Sequence, residues 1–366
     1  MKRKHYIIPL LVALFATAGC EKMIEFDIDE VDPMVVVSSL NDVDSNVYVR
    51  LTYSRFFLDN HAFRVIDNAN VQLFVNGTAF GTAPVYNTDK ERYFFNYKPQ
   101  PGDSLELHID VPGHETVTAG TRVPSRANIG TPQIQVMADP NDDEYYYYNT
   151  PTIDLRFDLN DPADEKNYYS VSIIDYSDYM YIRYYRNYVG DTIVDTVNND
   201  TFTNTMAMTI NDVVINPNTD VTDVTTAIDG GTTYTKFFFT DDNFNGRTHN
   251  VPIQFRANSY DVDVNDTFYY DPSSSTIMSV QIEHHHYYLK VVSYNRDAYQ
   301  YYITSDAARD DLDNIGIFNE PTQVYSNING GIGILGAKST SRIQLNIPEN
   351  PNRSGRKSGK HRGMHR

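Results

Sequence analysis

Tryptophan is absent from the 366 residues, and cysteine occurs once, at Cys20. A single thiol excludes an internal disulfide, so no covalent cross-link helps the chain fold. Basic residues are scarce, 30 Lys and Arg against 48 Asp and Glu, and the formal charge is −18. A surface of that sign repels phosphate backbones and argues against a nucleic-acid binder. Long apolar runs are missing too: the N-terminal run, residues 6–15, falls well short of the roughly 20 residues a membrane helix requires. Without tryptophan the core must be built from aliphatics, 29 Tyr and 18 Phe, and there is no indole to offer a flat platform to a sugar.

What surrounds the lone cysteine accounts for it. Lys2, Arg3 and Lys4 precede the apolar run, and small residues follow, which is the layout of an export signal. Thr17-Ala18-Gly19-Cys20 resembles the bacterial lipobox, with Thr17 in place of the usual aliphatic residue. Acylation of Cys20 after removal of residues 1–19 would hold the protein to a membrane, since each buried methylene contributes about 0.8 kcal/mol. The alternative is ordinary secretory cleavage after Ala16-Thr17-Ala18, which leaves Cys20 as an unexplained free thiol. Loss of residues 1–19 removes three bases and no acid. Residues 20–33, with Glu21, Glu25, Asp27, Asp29, Glu30 and Asp32, then read as an acidic tether.

Short β-branched and aromatic runs follow at 34–40, 46–54, 69–77, 92–98, 104–111 and 115–123, separated by Asn-Gly, Pro-Gly and Asp-rich turns. Six strands at this spacing predict an immunoglobulin-like β-sandwich over 34–124. Prolines and a glycine at 123–132 mark a boundary. A larger β-rich domain is expected over 130–348, with strands near 152–160, 167–177, 235–241, 250–264, 275–292 and 341–347. Its one short helix is predicted over 293–309, with Ser293 as N-cap. Residues 186–233, rich in Asn, Asp and Thr, read as long loops between weak strands. The fold class is thus mainly β, and residues 349–366 form a disordered basic tail.

Several motifs invite chemistry and few support it. The tract 331–336, GIGILG, matches a dinucleotide fingerprint in letters, but no strand precedes it and no helix opens after it. A glycine-rich strand approached closely by a neighbouring backbone or ring explains it. Asp241, Asn243, Asn245 and Gly246 copy the first half of a calcium loop, yet Pro252 stands where the bidentate glutamate belongs, and a hairpin turn accounts for the same residues. His284 and His286 share a strand face and could meet one zinc ion, with no third ligand evident and His285 on the other face. His114-Glu115 lacks the second histidine of a metalloprotease helix, since Thr118 takes its place. No cofactor is expected. The tyrosines are more suggestive: in residues 176–188 they crowd around Asp178, Arg183 and Arg186 near a loop-rich edge, and Tyr179, Tyr181, Arg183 and Tyr185 would line one surface of a strand. Packing of aromatic side chains in a tryptophan-free core is the competing explanation.

Cys20 in its lipobox, NANVQLFVNG, PGDSLELHIDVPGHETVTAGTRVP, FFFTDDNFNGRTHNVPIQF, YNRDAYQYY and EPTQVYSNINGGIGILGA together resemble the Bacteroidota lipoprotein family catalogued as domain of unknown function 4249. The likeness covers the whole mature chain. It implies an outer-membrane lipoprotein without established enzymatic activity, often encoded beside a TonB-dependent transporter, and it assigns no catalytic residue. The acidic residues after Cys20 favour the cell surface over the periplasmic face. An accessory or ligand-capture partner of such a transporter is therefore the leading expectation. A surface adhesin without a transport role, or a hydrolase using paired carboxylates, are the alternatives.

Overall fold

A computed structural model describes residues 32–55, 61–137, 151–163, 165–186, 192–215, 223–226, 232–257, 276–313 and 323–348; at 179–186, 192–200, 223–226, 232–233, 276–284 and 310–313 only the backbone is described. Cys20, the leader, nearly all of the tether, the tyrosines at 145–148 and the basic tail lie outside the described residues. The chain divides into two units, Met1–Pro33 with Arg55–His61 and Met34–Ser54 with Ala62–Arg366. In the first, the Arg55 guanidinium donates to the carbonyl of His61. Every element named here belongs to the second.

The strands are β1 (Val35–Asp42), β2 (Tyr48–Tyr53), β3 (Asn70–Val75), β4 (Thr78–Ala79), β5 (Val85–Asn87), β6 (Arg92–Phe94), β7 (Ser104–Asp110), β8 (Val117–Arg122), β9 (Asn128–Ile129) and β10 (Gln133–Met137). They continue with β11 (Thr152–Asn160), β12 (Tyr168–Arg186), β13 (Thr192–Met206), β14 (Met208–Thr209), β15 (Asp223–Thr226), β16 (Thr232–Thr240), β17 (Thr248–Arg256) and β18 (Thr276–Tyr294). Helix α1 (Arg296–Asp313) and strand β19 (Ile332–Leu345) follow. The protein is mainly β, as the succession of short β-branched and aromatic runs predicted. The large sheet runs β10-β11-β17-β14-β16-β12-β18-β19-β1-β2-β6-β5, with β13 on β12, β15 on β16 and β9 on β11. A second sheet runs β4-β3-β7-β8.

Alternation builds the first core. In β7 the buried residues are Leu105, Leu107 and Ile109, while Ser104 and Glu106 face out. These pack with Val71 and Leu73 of β3 and Val117 of β8 against Val35, Val37, Val49 and Leu51 of the large sheet. Burying each such side chain contributes about 1.5–3 kcal/mol. The hairpin from β3 to β4 turns on Asn76 and Gly77, both at positive φ, as an Asn-Gly turn requires.

An immunoglobulin-like sandwich confined to 34–124 does not contain the next feature. Strand β19, from the far end of the chain, lies parallel to β1, pairing Val36 with Ile332 through Asp42 with Lys338, and contributes Leu335 and Ala337 to the same core. The glycine tract makes this approach possible. A side chain at Gly331 would meet the Val35 carbonyl at 2.6 Å, and one at Gly336 would meet Leu40 and Ala298 at 2.8 and 2.9 Å. Gly333, at φ +113, sits against the Val37 carbonyl. The tract is therefore a strand that a neighbouring backbone approaches closely, and the sheet runs unbroken past the boundary drawn near residue 124.

A second core gathers Ile153, Leu155 and Phe157 of β11, Val171 and Ile173 of β12, Phe237 and Phe239 of β16, Val251 and Ile253 of β17, and Leu289 and Val291 of β18. On the opposite face of the sheet α1 packs Ala298 and Tyr299 against Phe238, Val292 and Tyr294. The helix begins later than predicted. Ser293 is still in β18, paired with Ser339, so the cap falls to Asn295, whose Oδ1 accepts the N–H groups of Ala298 and Ala337 at 3.1 Å each. The Asn, Asp and Thr-rich segment after residue 186, read as long loops between weak strands, supplies β13, β14 and β15; β13 is 15 residues long because its pairing with β12 overrides the weak propensity of its Asn and Asp.

Candidate functional site

Strands β12 and β18 are 19 residues each and pair from Tyr168 with Tyr294 to Tyr185 with Thr276. At about 3.3 Å per residue such strands are about 60 Å long. Their other neighbours stop early: β16 pairs β12 only over Tyr168–Val171, and β19 pairs β18 only from Tyr287 to Tyr294. Beyond those rungs, among the described residues, β13, β12 and β18 continue as a three-stranded ribbon.

The tyrosine tract lies on the middle strand of this ribbon. Tyr179, Tyr181, Arg183 and Tyr185 stand opposite Asp200, Asn198, Asp195 and Ile193 on β13, and opposite Glu283, Gln281, Ser279 and Thr276 on β18. The sequence placed them near a loop-rich edge; β13, from the segment read as long loops between weak strands, pairs along β12 and puts them on an inner strand. Register shifts fall between Ile182 and Arg183 on the β13 side and between Tyr184 and Tyr185 on the β18 side. Both leave the extra residue on the neighbouring strand, and such bulges increase local twist.

At the ribbon's root the buried face changes chemistry. Val171 and Ile173 are succeeded by Asp175 and Ser177, both fully buried. Asp175 Oδ2 lies 2.8 Å from Nδ1 of His285, whose side chain is 3% exposed, and Ser177 pairs directly with His285. Among the described residues the buried Ser177 hydroxyl has no hydrogen-bond partner. The other face is wetter: Tyr176 packs edge-on against Tyr288, and the exposed His286 lies 3.8 Å from Asp178. Residues 201–205 of β13 are all exposed, Phe202 among them at 49%. The sequence reading attended to His284 and His286; the histidine held by a carboxylate is His285. Only the register of β12 on β18, which sets Ser177 opposite His285 and Asp175 opposite Tyr287, brings the two together. The side chain of His284 lies outside the described residues.

The calcium-like turn does not bring its residues together. Asp241 is fully buried, its Oδ2 accepting the N–H of Asn167 at 2.9 Å, whereas Asn243 and Asn245 are exposed. Asn243 donates to the Val214 carbonyl at 2.8 Å. Burial, and then the neighbouring Asp161 carboxylate, hold Asp241 above the ordinary carboxyl range, against the hydrogen bonds from Asn167. Asp161 is itself engaged, by the Tyr169 hydroxyl at 2.7 Å and the Gly246 N–H at 2.9 Å. Gly246, at φ +69 against Ala163, completes a tight turn. Among the described residues no group of three His, Cys, Asp or Glu side chains is arranged to hold a metal. A shallow groove of about 250 Å³ is lined by Asp154, Arg156, Thr209, Asn211, Pro252 and Gln254. It carries one carboxylate, Asp154, 4.0 Å from the Arg156 guanidinium, where a pair-of-carboxylates hydrolase needs two.

Fold and site together define a mainly β protein whose longest strands leave the main sheet as a ribbon. More particularly, the chain belongs to the family described as Domain of unknown function (DUF4249), whose model matches residues 21–344. No curated protein matches it. Among solved structures, Bacteroides uniformis beta-glucuronidase aligns at 10% identity and a TM-score of 0.15, over 64% of this chain and 30% of that one. Bacteroides uniformis beta-glucuronidase 2, covalently bound to cyclophellitol-6-carboxylate aziridine, aligns at 11% identity with the same TM-score and coverage. The chain spans 30% of either enzyme's length, and likeness at that TM-score carries no argument about fold or activity.

Proposed function

We propose that this chain is a lipid-anchored outer-membrane protein without catalytic activity, displayed at the cell surface, which binds a TonB-dependent transporter and helps it capture ligand. The observation that carries the binding role is the ribbon of β13, β12 and β18, which continues past its sheet neighbours and bears the tyrosine tract. Tyrosine joins a broad apolar face to a polar tip, and it is enriched with arginine in the cores of protein interfaces. A ribbon joined to a rigid sheet at one end can present that tract to a partner while the cores stay closed. Anchoring rests on Cys20 and the resemblance of residues 17–20 to a lipobox. The test is co-purification from detergent-solubilised outer membranes of the native bacterium. A transporter recovered in stoichiometric amount supports the reading; its reproducible absence favours a surface adhesin with no transport role. For the anchor, a fatty-acid probe should label the wild-type chain and not the Cys20→Ala variant.

A further inference from the structure

Eight large apolar side chains are exposed among the described residues, and three of them meet at one end of the first sandwich: Met34 at 42%, Phe63 at 49% and Ile332 at 38%. Strand register gathers them. Val36 of β1 lies directly opposite Ile332 of β19 and Thr52 of β2, and Thr52 in turn bridges Val65, so these four residues share one face of the sheet. Two residues further along, the Ser54 N–H donates to the Met34 carbonyl at 2.8 Å and the Met34 N–H to the Ser54 hydroxyl at 2.9 Å. The Tyr53 N–H donates to the Arg64 carbonyl at 2.9 Å, which keeps Phe63 in line with Ser54. Val35, Val37 and Ile66 point into the sandwich core, so Met34, Val36, Phe63 and Val65 alternate to the outside. In one direction along this face α1 covers Leu40 and Gly336; in the other, toward Ile332 and Met34, the face opens to solvent. The opposite side of the same end carries Tyr53, with the Arg64 guanidinium 4.0 Å from its ring centroid and the His114 ring 5.3 Å away.

A contiguous exposed apolar patch marks a surface that something covers. Where the chain enters the fold points to the occupant. Residues 20–33 join the sheet at Met34, inside the patch, and fully extended they reach about 50 Å at most. We propose that Met34, Phe63 and Ile332, with the half-buried Val36 and Val65, form a surface that rests on the lipid bilayer beside the anchor. The inference rests on the Cys20 anchor proposed above and adds the face of the fold that the anchor brings to the membrane. Contact of this kind strengthens with the apolar area that enters the boundary between headgroups and acyl chains. Tyr53 and Arg64 suit the headgroup level just outside it, where amphipathic rings and long cationic side chains collect. The acids of residues 20–33 give no attraction to an anionic surface, so the contact is apolar and zwitterionic lipid suffices. Held at this end, the protein stands on its first sandwich.

The absence of tryptophan makes a direct test possible, because one introduced indole reports its own surroundings. Met34→Trp and Phe63→Trp are made in the full chain, with Val213→Trp and Met137→Trp as exposed positions away from the patch, Met137 lying on β10 at the other end of the large sheet. Thermal melts confirm each fold, and either patch variant decides if the other does not fold. The acylated proteins are reconstituted into phosphatidylcholine vesicles with and without brominated acyl chains, which quench only an indole that reaches the lipid. Should a fatty-acid probe leave the chain unlabelled, the anchor reading fails by itself; the same variants are then coupled through Cys20, the lone thiol, to a maleimide lipid, and the patch is tested all the same. The expected result is a blue shift and a loss of emission of about twofold at the patch positions, with Val213→Trp and Met137→Trp unchanged. Equal quenching at all positions, or none at the patch, overturns the proposal. So does a blue shift at the patch without quenching by brominated lipid, which would put protein there, a second copy if the shift grows with the concentration of the pure chain.

Discussion

The first sandwich and the root of the ribbon solve burial in opposite ways. In the sandwich each inward position of β3, β7 and β8 is aliphatic or small, and β19 seals the far side with glycines that let the backbones touch. At the ribbon's root the inward positions are Asp175, Ser177 and His285. Apolar burial stabilises without direction, whereas a buried polar pair adds little stability but tolerates few other arrangements. The comparison teaches that stability resides in the sandwich and main sheet, and that the ribbon depends on a polar joint at its base. Regions that move or bind are drawn from the less stable end of a fold.

Substitutions can break that division. The largest effect is expected from Gly333→Val, which places a β-branched side chain at positive φ against the Val37 carbonyl. It should cost about 4 kcal/mol in urea unfolding, and a loss below 1 kcal/mol would mean that β19 is not the seal. Next, Asp175→Ala leaves His285 without its carboxylate and should cost about 3 kcal/mol. Hydrogen exchange should then rise in β12 and β18 while the amides of β7 keep their protection. A uniform rise over both regions would erase the distinction between them. Asn295→Ala removes the cap that ties α1 to β19 and should cost about 1–2 kcal/mol, read as a lowered melting temperature.

A smaller effect depends on pH. Burial, and then the 2.5 Å hydrogen bond to Asp103, push the Tyr97 hydroxyl from 10.0 up to about 12. A folded pKa above the unfolded one means that this contribution is complete below pH 10 and is lost as pH rises through about 12. The alkaline limb of the stability curve should flatten in Tyr97→Phe. An unchanged limb would show that the bond does not couple to folding of the sandwich.

Much of this was legible in the sequence because strand alternation is local. Residues 104–111 announce β7, and Asn76-Gly77 announces its hairpin. GIGILG was readable as a strand from what followed it, since Lys338-Ser339-Thr340 opens no helix. Pairings remote in sequence were not legible. Nothing in residues 332–345 says that they lie parallel to β1, because parallel partners leave no turn between them. The edge position of β13 was hidden by its Asn and Asp residues, which are depleted in strands and interrupt the Thr, Ile and Val between them. Ser293 looked like a cap because the strand before it has no clear stop signal, and only pairing with Ser339 keeps it extended. The Asp175–His285 pair needed the β12 to β18 register, which no local pattern carries.

The most direct test compares wild type with the triple variant Tyr181→Ala, Arg183→Ala, Tyr185→Ala in outer membranes solubilised from the native bacterium. Because these positions lie on the ribbon beyond the cores, the variant should unfold within about 1 kcal/mol of wild type. Its recovery of a TonB-dependent transporter, quantified against the bait, should collapse. Equal transporter recovery from both proteins, or none from the wild type, would contradict the account.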